Sequence, residues 1–378
     1  MYAFSASVNN PSNIALKWKK GCDESGCTTG FSDIGQTWSS AKTFKASASD
    51  TPLIIMGGGY DKCEDADPHT CGTPYAPKGN KVYVLNADTG DLLTTFTTAR
   101  SVAADIFVVP DADGNAKLAY VADLGGNIYR INIGTDAPAD WEMIPIARFG
   151  CDSGNGCSPN RKFMFAPSVV DNADGTYNLM IGSGDREKPV ISYTGAASVA
   201  NHFFMFKDKP LEPSWLTDEA AACGAAVICK TSLYAIAVDG DTPTSAQLYE
   251  KKGWYLELRP TEQVVTSAIT IYGVINFSTH IPQPTVTGSC VSNLGTASIY
   301  NISAKNAAPA NGTAARYRTI SGGGLSPSPV AGMVTLDDGT TTKFCIGCGD
   351  DSALGGGEPP VPPTAIQPKA RVYWYIQK

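Results

Sequence analysis

Histidine is scarce in this chain, with three residues in 378, and the motifs that depend on placed nucleophiles, metals or phosphates are missing. There is no HExxH, no GxSxG elbow and no Walker loop. His69, His202 and His280 stand apart from one another. His202 and His280 fall at strand positions and read as structural, while His69 lies in a cysteine-bracketed loop and reads as exposed. Charge is also sparse: 17% of residues are charged, the formal net charge is −7, and Lys and Arg form no stripe. That balance excludes a nucleic-acid surface, which needs clustered cations to displace phosphate counterions. No apolar run approaches the roughly 18 residues of a membrane span, and no leader-like segment precedes Met1-Tyr-Ala-Phe-Ser-Ala-Ser-Val8. So abrupt a start on an alternating strand reads as that of a fragment of a longer precursor, whose signal peptide would lie upstream.

Long helical periodicity is absent as well, and turn residues are abundant. Thirty-eight Gly and 25 Pro punctuate short runs of Val, Ile, Tyr and Thr, the pattern of many short strands. One phrase recurs, an aromatic among alternating apolar residues: Met1-Tyr-Ala-Phe, Lys81-Val-Tyr83-Val-Leu, Asn127-Ile-Tyr129-Arg-Ile, His202-Phe-Phe204-Met-Phe, Ser232-Leu-Tyr234-Ala-Ile, Ser298-Ile-Tyr300-Asn-Ile and Arg371-Val-Tyr373-Trp-Tyr. Equivalent strands repeated in this way predict an all-β propeller of about seven blades, one phrase per blade, with residues 1–378 as a single domain. Residues 211–229 read as a short helical insertion, and Glu358-Pro-Pro-Val-Pro-Pro363 as a rim loop delivering a last strand, Ala370 to Gln377. That strand is placed to close the ring on Met1 to Val8.

Eleven cysteines point to an oxidising compartment. Ten form close pairs, Cys22 and Cys27, Cys63 and Cys71, Cys151 and Cys157, Cys223 and Cys229, and Cys345 and Cys348, most of them bracketing loop-like sequence. Loops this short gain modestly from chain entropy, so each bond orders its own excursion more than it holds the fold. Zinc is the competing reading for Cys345-Ile-Gly-Cys348, although no second CxxC or nearby His accompanies it. Cys290 is left over; pairing with Cys345 or Cys348, a free thiol and a partner outside this chain all stay open.

The densest signal is Asp105 to Ile133. A strand at Ile106 to Val109 precedes Asp111-Ala-Asp113-Gly-Asn115, with oxygen-bearing side chains at alternate positions as a Ca²⁺ loop requires. Strands at Leu118 to Ala122 and Asn127 to Ile133 follow, joined by Asp123-Leu-Gly-Gly126. The alternative for Asp111, Asp113 and Asn115 is a solvated turn.

Taken in order, Ile55-Met-Gly-Gly-Gly-Tyr60, Gly79-Asn-Lys-Val-Tyr-Val-Leu-Asn-Ala-Asp-Thr-Gly90 and Tyr120-Val-Ala-Asp-Leu-Gly-Gly-Asn-Ile-Tyr-Arg-Ile131 resemble the C-terminal domain of type IV pilus tip proteins of the PilC/PilY family. Pro167-Ser-Val-Val170, Ile181-Gly-Ser-Gly184, Gly253-Trp-Tyr-Leu-Glu-Leu258, Val264-Val-Thr266 and Arg371-Val-Tyr-Trp374 extend the likeness over nearly the whole chain. The resemblance implies a modified β-propeller of quinoprotein-dehydrogenase-like architecture. It further implies a non-enzymatic protein exported through the periplasm to the pilus tip or outer cell surface, where it supports pilus assembly against retraction, adhesion and twitching motility. Minor pilins at the tip and a host or abiotic surface are the implied partners. The family's Ca²⁺ loop, aligned on Ala119-Tyr120, would place its first position on Val109, its third and fifth on Asp111 and Asp113, its carbonyl ligand on Asn115 and its ninth on Lys117; the acidic residues are lost at Val109 and Lys117. A periplasmic dehydrogenase using pyrroloquinoline quinone is the alternative on the same architecture. Against it, the chain has no adjacent Cys-Cys pair of the kind such enzymes stack under the cofactor.

Overall fold

The computed structural model describes residues 1–7, 10–46, 49–72, 76–152, 157–284, 293–310, 314–320, 322–337, 339–348 and 356–357. Strands β1 (Tyr2–Ser7) and β2 (Asn10–Lys19) pair as a hairpin, and the small hairpin of β3 (Cys22–Asp23) with β4 (Gly26–Cys27) follows. A first blade is the meander β5 (Lys42–Ala46), β6 (Ser49–Gly57), β7 (Lys81–Asn86) and β8 (Leu92–Thr97). The second is β9 (Phe107–Pro110), β10 (Ala116–Ala122), β11 (Asn127–Asn132) and β12 (Glu142–Arg148). The third begins with β13 (Ser168–Asp171), β14 (Tyr177–Gly182) and β15 (His202–Asp208). The chain then returns to lay β16 (Ile228–Cys229) parallel to β12, before β17 (Tyr234–Ala237) and β18 (Gly253–Glu257) complete the third blade. A fourth blade holds β19 (Gln263–Val264), β20 (Ile269–Ile271), β21 (Val274–Ile281), β22 (Thr296–Ser303) and β23 (Tyr317–Ile320). The sheet of β24 (Val330–Thr335), β25 (Thr341–Ile346) and β26 (Gly356–Gly357) comes last.

The core lies between blades, which is what makes this arrangement a propeller. His202-Phe-Phe-Met-Phe206 shows why. Successive strand side chains point to opposite faces, so a strand buried on both sides reads as a continuous apolar run. Phe204 and Phe206 pack against Phe149 and Phe163 of the neighbouring blade, while Phe203 and Met205 turn the other way toward Trp254, Phe277 and Tyr300. Ring centroids of Phe149 and Phe204 lie 4.4 Å apart, those of Phe203 and Phe277 4.0 Å, and those of Phe277 and Tyr300 4.7 Å, all stacked. Ile55, Val84, Val121 and Ile131 fill the preceding interface.

Several expectations meet the structure directly. The Asp105 to Ile133 meander forms as β9, β10 and β11. The phrases at 81, 127, 202 and 298 each sit in a separate blade. Ser232 to Ile236 does not found a blade of its own: β17 is the outer edge of the blade that already holds β15. Its alternation fits any half-buried strand, and the excursion after Asp208 brings the chain back to pair parallel with β18. Residues 211–229 contain two single helical turns, α2 (Ser214–Thr217) and α3 (Ala220–Cys223), flanked in the chain by the unanticipated α1 (Thr194–Ser198) and α4 (Ser245–Tyr249). A Thr244/Gln247 capping box starts α4, a signal that was present in the sequence. Glu358 to Pro363, Ala370 to Gln377 and Cys290 lie outside the described residues.

The second and third blades are also clamped by charge. Asp208 accepts from Arg130 Nη1 at 2.7 and 2.8 Å and from the Tyr120 hydroxyl at 2.8 Å, all buried. Removing one partner of such a pair strands the other in low dielectric. Asp208→Ala should therefore lower unfolding free energy by roughly 3–5 kcal/mol, measured by urea denaturation. A loss within the surface-substitution range of about 0.5 kcal/mol would contradict the clamp.

Candidate binding face on the cystine-bracketed loops

All five cysteine pairs are joined as expected: Cys22–Cys27, Cys63–Cys71, Cys151–Cys157, Cys223–Cys229 and Cys345–Cys348. The last bond removes Cys345 and Cys348 as zinc ligands. Among the described residues, Cys63, Glu64 and Cys71 are the single group of three ligand-type side chains within 4.8 Å of one another. Its two sulfurs are bonded together, and its carboxylate is committed elsewhere.

That commitment organises one face of the molecule. Residues 60–72, which follow β6, leave their own blade. Asp61 caps their first turn by accepting Cys63 N at 2.9 Å, and Thr70 N donates to Cys63 O at 2.9 Å beside the disulfide. Glu64 is fully buried and receives Arg100 through both Nε, at 2.8 Å, and Nη2. Lys162, after β12, donates to the Glu64 carbonyl at 3.0 Å and to Asp185 at 2.8 Å. Lys188 bonds Asp67 at 2.8 Å and stands 3.8 Å from Asp185. Gln263 on β19 accepts Asp185 N at 2.7 Å. One polar chain thus links the loop to four blades.

A cavity of about 410 Å³ opens beside this chain. His69 and Cys71 of the loop, Arg100, Tyr129, Arg148 and the Cys151–Cys157 bond line it. Gly125 and Asn127 of the Asp123-Leu-Gly-Gly-Asn127 turn form its floor. The Asp123 carboxylate, fully buried, accepts Gly125 N at 2.9 Å, Asn127 N at 3.0 Å, Arg100 N at 3.2 Å and the Tyr129 hydroxyl at 3.0 Å. Desolvation pushes its pKa up to about 6 against the pull of those donors. Gly126 (φ +76°) and Gly150 bring two backbones together; a Cβ on Gly126 would meet Gly150 Cα at 2.3 Å. His69 is half-buried on the cavity wall rather than exposed. His280 is structural, its Nε2 lying 2.8 Å from Leu294 O.

The Asp111 loop is elsewhere and closes on itself. Asp111 N donates to the Asn115 carbonyl at 2.6 Å, and Asp111 Oδ1 accepts Asp113 N at 2.9 Å and Asn115 N at 2.8 Å. Val109 is buried in the core, and the Lys117 ammonium stands 5.8 Å from the Tyr177 ring centroid. With an apolar side chain, an ammonium and an occupied carbonyl at three ligand positions, this donor set does not fit a Ca²⁺ cage. What the sequence reading missed is the buried chain of Glu64, Arg100, Lys162, Asp185 and Lys188. Each sits in a loop with ordinary surface-like neighbours, so no local signal marks it.

The blade stacking defines the chain as a β-propeller. Its fold is that of the C-terminal domain of Pseudomonas aeruginosa PilY1, to which it is similar with a TM-score of 0.61 at 14% identity, over 91% of this chain and 76% of that one. A europium-containing methanol dehydrogenase reaches a TM-score of 0.40 (12% identity; 91% and 60% covered), and the α-L-arabinofuranosidase of Fusarium graminearum 0.37 (10%; 88% and 86%). Scores that low assign nothing to this chain. No family model and no curated protein matches the sequence. Among the described residues no helix is long and apolar enough to cross a membrane.

Beside this face, His202 is a buried imidazole whose two nitrogens make no hydrogen bond. Burial first, then the Arg161 and Lys230 charges, push its pKa down to about 3. The unfolded chain takes this proton near pH 6.5 and the folded one near 3, so stability is full above 6.5 and is lost as pH falls through that window. Wild type should lose roughly 3–5 kcal/mol more than His202→Phe between pH 7 and pH 3. Denaturation curves at both pH values check this; equal losses would contradict it. Asp123, with its raised pKa, acts in the opposite sense in both proteins and cancels in the comparison.

Proposed function

We propose that this chain is the C-terminal propeller module of a type IV pilus tip protein, acting by contact rather than by catalysis. The fold shared with the PilY1 C-terminal domain over 91% of the chain carries the reading. The family phrases met in order along the sequence support it. In this reading the protein is exported through the periplasm, its cystines form there, and the module sits at the pilus tip or outer surface against minor pilins. It sustains assembly against retraction, adhesion and twitching motility. Loops pinned by disulfides suit contact because little ordering entropy is lost when they bind. A quinone-dependent dehydrogenase has no comparable support, since fold alone does not supply chemistry.

Calcium regulation through Asp111, Asp113 and Asn115 is not part of the proposal, because Val109 and Lys117 break the ligand set. Adding Ca²⁺ after chelation should move the melting temperature by less than about 1 °C. A larger rise abolished by Asp111→Ala with Asp113→Ala would restore the switch.

The functional reading is tested in the cell that makes the protein. Deleting the module from the full-length gene should abolish surface pili and twitching, and disabling retraction in the same strain should bring pili back. Unchanged pili and motility would overturn the assignment.

A further inference from the structure

The cavity beside the chain of buried polar groups has a composition unlike the rest of the molecule. The chain carries 36 acidic and 29 basic residues, yet Arg100, Arg148 and His69 line this space with no Asp or Glu among the lining residues. Arg100 is already neutralised, since its Nε and Nη2 hold Glu64. Arg148 differs: half-buried at the end of β12, its guanidinium makes no hydrogen bond or ion pair with any described residue. A partly desolvated guanidinium with its fork unused is matched by a planar anion with two oxygens.

We propose that this cavity is a binding site for a small carboxylate, held by Arg148. At about 410 Å³ it is within the size range of small-ligand sites. Tyr129 and Pro145 offer surface for the ligand's body. The walls are set before any ligand arrives. The Cys63–Cys71 and Cys151–Cys157 bonds fix two sides, and the buried Asp123 carboxylate fixes the floor. A site ordered in advance loses little entropy on binding. Arg148 and Pro145 also border a second groove of about 490 Å³, between β12 and the 209–217 excursion. A ligand longer than one residue or sugar can therefore run outward from the carboxylate. Two sources share this chemistry, an acidic sugar and a free peptide C-terminus. The inference does not depend on the pilus reading.

Titration of the oxidised chain with D-glucuronate against D-glucose, and with a short peptide bearing a free C-terminus against its amide, separates the two sources. The readouts are calorimetry and the amide resonances of Gly125, Asn127 and Gly150. At least one carboxylate should bind with a Kd on the order of 1 mM or tighter, and at least tenfold better than its neutral counterpart. Arg148→Ala should weaken that binding at least tenfold and Arg148→Lys less, because an ammonium keeps the charge without the fork. Neither variant should shift the melting temperature by more than about 2 °C, since the Arg148 guanidinium makes no hydrogen bond or ion pair with any described residue. Three results would each overturn the proposal: no binding of either carboxylate, equal binding of the neutral counterparts, or undiminished binding to Arg148→Ala.

Discussion

The buried chain from Arg100 and Glu64 through Lys162 and Asp185 to Lys188 and Asp67 is the constraint on which this face of the propeller depends. Blades pack side by side through apolar faces, and such packing alone leaves the loops above them free to choose a path. Here the loop leaving β6 is carried over its neighbours and held by charges that lie out of water. Taking those groups from solvent is expensive, so the arrangement contributes little net stability, but any misplaced partner would leave a bare charge. The benefit lies in geometry: only one path of the loop satisfies every group.

That fixed path explains why the cystines matter where they are. Cys63–Cys71 closes a short loop and by chain entropy stabilises little. Its effect is local, keeping the wall that presents His69 and Cys71 to the cavity in the shape the ion pairs require. Cys151–Cys157 does the same from the end of the second blade. A cavity walled by two cystines and holding a guanidinium unpaired by any described residue is suited to recognition of an anion.

The fold was largely legible because blade strands are buried on one or both faces. His202 to Phe206 and Lys81 to Leu85 could hardly be anything else. The cystine pairs were legible too, since short spacing leaves each cysteine one nearby partner. The fifth appearance of the strand phrase, at Ser232, misled because period two tells that a strand is half-buried and not which sheet it joins. Glu64, Lys162 and Asp185 were illegible for a deeper reason. A buried ion pair looks in sequence like two surface charges, and its partner stands 121 residues away for Lys188 and Asp67. The Asp111 loop reads two ways, since alternate oxygens mark a turn as well as a cation cage; Val109 and Lys117 already weaken the cage in the sequence, and the structure adds that the Asn115 carbonyl is taken by Asp111 N.

Hydrogen–deuterium exchange at the amides of Cys63, Glu64 and Thr70, in the oxidised protein and after Lys162→Met, tests the central claim most directly. A loop held by the buried chain opens only with the blades, so these amides should exchange about as slowly as those of β7 and β15 and become much faster in the variant. Fast exchange in the unaltered protein, or protection unchanged by Lys162→Met, would contradict the account.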